Sequence, residues 1–149
     1  MDQNVGLLDQ RMAVEWLRDN VAAFGGDPTR ITLFGQSAGG VSMDFYSYAF
    51  VKDPIVHGLI PQSGSVFLLD SLGDSKNSWY DVSAQLGCGG KEAGEKTLAC
   101  MRALDFNKLL DMTTATPNSG FGPAPDGKIV FDDYQARAEA GNFIKVVRP

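Results

Sequence analysis

Gly35-Gln36-Ser37-Ala38-Gly39-Gly40 constrains this chain more than any other stretch of it. The apolar run Ile31-Thr32-Leu33-Phe34 comes just before, and Val41 to Phe50 reads as a helix that Asp53-Pro54 closes. A serine set between glycines at a strand-to-helix junction sits in a tight turn. A Cβ on Gly35 or Gly39 is expected to collide with the neighbouring strand or helix. Glycine removes that collision and accepts unusual dihedrals. The Ser37 hydroxyl is then held clear of the backbone.

The surrounding sequence supports such a junction. Leu8, Met12, Trp16, Leu17, Val21 and Phe24 recur at helical spacing, with Asp9, Arg11, Glu15, Arg18 and Asp19 on the other side. This predicts an amphipathic helix with an inward apolar stripe, ended by Gly25-Gly26. Asp27-Pro28-Thr29 turns the chain into the strand around Ile31 to Phe34. A second apolar run, Ile55-Val56 and Leu59-Ile60, leads to Pro61-Gln62-Ser63-Gly64-Ser65. Helix, strand, helix, strand implies an α/β architecture with a βαβ unit, its two strands parallel and its crossover right-handed.

From Asp74 the texture becomes mostly helical. Ser78 to Leu86 and Glu95 to Leu104 read as short helices either side of Cys88-Gly89-Gly90, and Phe106 to Met112 as a third. Thr113 to Asp126 is rich in loop-forming residues. Lys128 to Phe131 predicts a short strand, Asp133 to Ala140 a helix stopped by Gly141-Asn142, and Phe143 to Val147 a further strand.

With 149 residues, 44% of them hydrophobic, the chain can bury the core of one ordinary domain. A net charge of −5 argues against nucleic acid or an anionic membrane as partner. Runs such as Val66-Phe67-Leu68-Leu69 are far too short to span a bilayer. Met1 leads into polar Asp2-Gln3-Asn4, with no signal-peptide pattern. Cys88 and Cys100 have no pair of histidines beside them, which disfavours a zinc site. They are two reduced thiols or one disulfide; as a disulfide they would contribute about 2–3 kcal/mol by chain entropy.

Taken together, Asn4-Val5-Gly6-Leu7-Leu8-Asp9-Gln10, Trp16, Asn20, Phe24-Gly25-Gly26-Asp27-Pro28, the Ser37 hexapeptide and Gln62-Ser63-Gly64 resemble the type B carboxylesterases, which include the cholinesterases. Leu86-Gly87-Cys88 with Cys100-Met101-Arg102, Phe121-Gly122-Pro123 with Asp126-Gly127, and Gly141-Asn142-Phe143 resemble the family more loosely. The resemblance implies a partial α/β-hydrolase domain over residues 1–149, lacking N-terminal and C-terminal parts, with a Cys88–Cys100 disulfide. It also implies a secreted protein that acts on a small-molecule ester without metal or cofactor. Gly35-Gln36-Ser37-Ala38-Gly39 then reads as the nucleophile elbow. Many family members carry Glu where this chain has Gln36. Losing that carboxylate weakens the case for cationic choline esters and favours a neutral ester. Non-catalytic adhesion or scaffolding relatives typically lose the serine, whereas this chain keeps it with both glycines.

Ester hydrolysis by serine requires a base, a carboxylate to orient it, and donors for the oxyanion. The resemblance assigns Ser37 as nucleophile and the Ala38 backbone N–H as one oxyanion donor. It places the other donors before Asn4, and the acid and histidine beyond Pro149. His57, the one histidine, falls at the start of the second strand, roughly 15 Å from the Ser37 end. Proton transfer needs about 3 Å, so His57 reads as a surface or packing residue. Asp9, Glu15 and Asp27 precede Ser37 and read as structural, and Gln62-Ser63-Gly64 as a turn at the Ser37 side. An unpaired central strand edge makes the chain alone an aggregation hazard.

Overall fold

The computed structural model describes residues 3–71, 75–115 and 121–146. Two compact units are present: residues 1–68 with 124–149, and residues 69–123.

In the first unit, helix α1 (Val5–Asn20) runs into a tight turn at Val21–Phe24, and Gly25 closes it with φ 81°. Asn4 precedes α1 in the left-handed region, at φ 56°. Its amide is turned to the far end of the sequence. Nδ2 donates to the Ala124 carbonyl and to Asp126 Oδ2, and Oδ1 accepts the Ala124 N–H, each at 2.8 Å.

The apolar stripe expected on α1 faces the other way. Met12, Trp16, Leu17 and Phe24 are exposed, and the buried positions are Val14 and Arg11. Arg11, expected on the solvated face, is only 7% exposed. Its Nε donates to Glu15 at 2.7 Å, and Nη1 donates to the Tyr46 hydroxyl at 2.8 Å and the Asp53 carbonyl at 2.7 Å. Nη2 pairs with the Asp53 carboxylate, and the guanidinium lies 4.4 Å from the Phe50 ring centre. Four of the five planar donors are paired and an aromatic face covers the guanidinium, which explains the inversion: Arg can be buried where its donors find acceptors. Burial works to lower its pKa, but Glu15, Tyr46 and Asp53 outweigh this and raise it.

Strand β1 (Thr32–Gln36), helix α2 (Ala38–Ala49) and strand β2 (Gly58–Gln62) form the expected unit. The strands are parallel, with register from Thr32↔Gly58 to Gln36↔Gln62. Val14, Tyr46, Val56, Leu59 and Ile144 form the core, with Ile31 and Leu33 packed against it. Strand alternation sends Phe34 to the opposite face, where it is 75% exposed. Among the described residues the sheet has these two strands, so β1 is paired on one side.

Neither later strand forms. At 128–131 the backbone donors are diverted: the Lys128, Ile129 and Val130 N–H groups all donate to Asp126 Oδ1, at 2.8–3.0 Å. The segment 143–146 lies on α2 instead, where the Ile144 N–H donates to the Ser47 carbonyl. Val147 is outside the described residues. Helix α6 (Tyr134–Glu139) forms as expected and ends at Gly141, φ 66°.

Asp126 therefore fastens one loop and one helix start at once. Desolvation pushes its carboxyl up, but the Ile129, Val130 and Lys128 N–H groups and the Asn4 amide outweigh it and hold the pKa at about 2. A carboxyl depressed on folding contributes stability above its unfolded pKa and loses it as pH falls through the folded value. Asp126→Asn should thus lower stability at neutral pH and flatten its pH dependence between about pH 4 and pH 2. Thermal melts of both proteins across that window check this; parallel curves would contradict it.

The second unit carries α3 (Ser75–Gln85), α4 (Lys96–Ala103) and α5 (Phe106–Ala115), near the predicted helices. Its core is Val82, Cys88 and Met101, flanked by Trp79, Leu86, Cys100, Leu104, Leu109 and Met112. The Cys88–Cys100 disulfide is formed, across 12 residues. In so small a core a bridge of that loop size is worth about 2–3 kcal/mol.

Candidate active site

Ser37 lies between the last residue of β1 and the first of α2, and it is exposed. Its backbone stands at φ 54°, ψ −117°. This is a sparsely populated conformation for a residue with a side chain, costing about 1–3 kcal/mol, and it persists only where surroundings enforce it. The flanking glycines do not carry the unusual dihedral. Positive φ is found at Ser37 itself and at Ser63 in the turn after β2, but not at Gly35, Gly39, Gly40 or Gly64.

What the glycines supply is closeness. A Cβ on Gly35 would stand 2.5 Å from the Gly39 carbonyl carbon and 2.9 Å from its Cα. One on Gly40 would meet the Gln62 carbonyl oxygen at 2.8 Å, and one on Gly64 would meet the Ser37 carbonyl oxygen and the Val41 backbone nitrogen, each at 2.5 Å. The expected collision at Gly39 is absent: nothing among the described residues lies within 4 Å of its Cβ position. The Gly39 backbone lies against Gly35 of β1 while its own Cβ direction is open, and Gly40 and Gly64 make the close contact between α2 and the turn after β2. The sequence places Gly40 in the hexapeptide and Gly64 in a turn on the Ser37 side, but their close approach to one another is visible only in the fold.

The turn is held at both ends. The Ser37 N–H donates to the Gln62 carbonyl at 2.9 Å, and the Ser37 carbonyl accepts the Val41 N–H at 3.0 Å. Ala38, Gly39 and Gly40 open α2, so their N–H groups have no intrahelical acceptor. They gather partial positive charge at the end of the helix that Ser37 caps.

His57 sits just before β2, and its N–H donates to the Ile31 carbonyl at 2.7 Å. The register puts that pairing at the opposite end of the sheet from Ser37, about five residues or ~16 Å away. The three early acids are engaged elsewhere or exposed. Glu15 pairs with Arg11 at 2.7 Å, and Asp9 is exposed on α1. Asp27 accepts the Thr29 hydroxyl and N–H and pairs with Arg30, which together hold its carboxyl at about 2. Gln62-Ser63-Gly64 closes on the Ser37 turn, as expected. Gln36, the end of β1, is exposed beside the serine. Among the described residues, no three His, Cys, Asp or Glu side chains are grouped to hold a metal ion, and no helix is long and apolar enough to cross a membrane.

The sequence has counterparts among known proteins. The chain is 43% identical over 97% of its length to a chlorogenic acid esterase of Aspergillus niger. It is 45% identical over 95% of its length to secreted lipase 5 of Gibberella zeae, and 36% identical over 96% to lipase 1 of Geotrichum candidum. It spans 29%, 28% and 29% of these relatives, respectively. The strand, turn, helix and parallel strand around Ser37 are a piece of an α/β-hydrolase fold. Residues 1–146 match the carboxylesterase family, and the chain belongs to it.

Proposed function

We propose that this chain is the nucleophile-bearing segment of a longer secreted esterase that cleaves a neutral carboxylic ester through an acyl-Ser37 intermediate. The observation that carries this reading is the Ser37 backbone, at φ 54° and ψ −117° with the residue exposed above α2. A chain has little reason to hold a serine there unless its hydroxyl must be presented. The Ser37 Oγ attacks the ester carbonyl carbon and gives its proton to a histidine base. The Ala38 N–H stabilises the oxyanion, the alcohol leaves with that proton, and water then releases the acid.

Residues 1–149 form one partial domain in this reading, and alone they are inactive, because His57 is out of reach of Ser37. The triad acid, the histidine and the remaining oxyanion donors come from other parts of the longer protein. Gln36 presents no charge that would select a cationic alcohol. The disulfide suits an oxidising compartment, and three relatives are named as secreted lipases.

The test is a p-nitrophenyl ester. The full gene product should release nitrophenol in a burst followed by a slower steady rate, the mark of an accumulating acyl-enzyme. The 149-residue chain alone should release none above background. Turnover by the isolated chain, or full-length turnover untouched by an organophosphate, would refute the reading.

A further inference from the structure

Ser37 keeps its conformation because a second segment is moulded against it, and one carboxylate fastens that segment. The Gln62 carbonyl accepts the Ser37 N–H, Gly64 lies against the Ser37 carbonyl and the Val41 nitrogen, and Ser63 bends between them at φ 51°. The chain then returns to α2. Asp44 Oδ2 accepts the Ser65 hydroxyl at 3.1 Å and the Val66 N–H at 3.0 Å. Val66 is 1% exposed, so its N–H is anchored within the packed interior. The anchor is itself braced: Ser47, fully buried, donates its hydroxyl to the Asp44 carbonyl at 2.8 Å. Asp44 lies seven residues beyond Ser37, two turns along α2 and on the same side.

We propose that Asp44 is a positioning residue for the reaction at Ser37, acting through residues 62–66; this rests on Ser37 being the nucleophile. A carboxylate is suited to the task because it accepts from a hydroxyl and a backbone N–H at once. Without it the 65–66 end is released from α2, and the Gln62 carbonyl and Gly64 Cα lose the register that enforces the serine dihedral. The hydroxyl is then misplaced toward a bound ester. Displacements of about 1 Å from remote changes can cost on the order of 100-fold in rate.

The experiment uses the full gene product and its variants Asp44→Ala, Asp44→Asn and Ser65→Ala, with a p-nitrophenyl ester and a fluorophosphonate that phosphonylates the serine. In Asp44→Ala, kcat and the phosphonylation rate should both fall about 10- to 100-fold, with KM changing less than about threefold, at temperatures where circular dichroism shows the fold intact. Asp44→Asn keeps one carbonyl acceptor and should recover most of the rate. Ser65→Ala removes one donor and should lose about threefold; it also serves if Asp44→Ala does not fold. Wild-type rates in the folded Asp44→Ala protein would overturn the proposal, as would a change confined to KM or an Asn variant as slow as Ala. If Asp44→Ala does not fold, a wild-type rate in Ser65→Ala would overturn it. Failure of the wild-type protein to react with the phosphonate would instead overturn the acyl-serine reading beneath it.

Discussion

Ser37→Ala should lower kcat/KM of the full gene product by at least ~10⁴-fold while leaving its melting temperature nearly unchanged. The asymmetry follows from where the serine stands. Ser37 is exposed, and the bonds that hold the turn are made by its backbone, through the Gln62 carbonyl and the Val41 N–H. Alanine keeps those bonds and removes the oxygen proposed to form the acyl bond. Ser63 is the informative comparison. It too is exposed and at positive φ, in the turn packed on the elbow. Ser63→Ala should keep activity within about tenfold, since it alters only the surroundings of the nucleophile. Steady-state kinetics on a neutral p-nitrophenyl ester separates the two, and reversed effects would move the nucleophile to Ser63.

Gly35→Ala attacks the same site through packing. The added methyl would stand 2.5 Å from the Gly39 carbonyl carbon and 2.6 Å from its oxygen. Both atoms belong to backbone, so no side chain can swing aside. The first turn of α2 must lift from β1, or β1 must shift in register with β2. Overpacking of this kind costs about 1–3 kcal/mol, and more where backbone must yield. Movement of α2 also displaces Ser37 and the Ala38 N–H together, so activity should fall on the order of 100-fold. Chemical denaturation and ester kinetics on the same preparation check both; wild-type stability with wild-type turnover would contradict the packing described for the elbow.

The elbow was legible because its cause is local. A strand, a serine between small residues and a helix need nothing distant to be recognised, and β1, α2 and β2 appeared where periodicity and turn residues put them. The parallel pairing followed from chain order. Arg11 was misplaced because periodicity reports only average polarity: its burial depends on Tyr46, Phe50 and Asp53, remote in sequence. The strand expected at 128–131 failed for a similar reason. Its residue types suit a strand, but the Asp126 carboxylate captures the donors a ladder would need. At the site, Ser37 and Gly35 were readable, whereas the packing role of Gly40 and Gly64 and the part played by Asp44 were not. Their importance lies in the approach of the 62–66 segment to α2, which one-dimensional spacing does not encode.

The most direct measurement is to treat the full gene product with a fluorophosphonate and locate the adduct by mass spectrometry of its peptides. A single phosphonyl group should be found on Ser37, with none formed after Ser37→Ala. An adduct on another residue, or no adduct in a protein that hydrolyses esters, would contradict the claim that this strained turn exists to present a nucleophile.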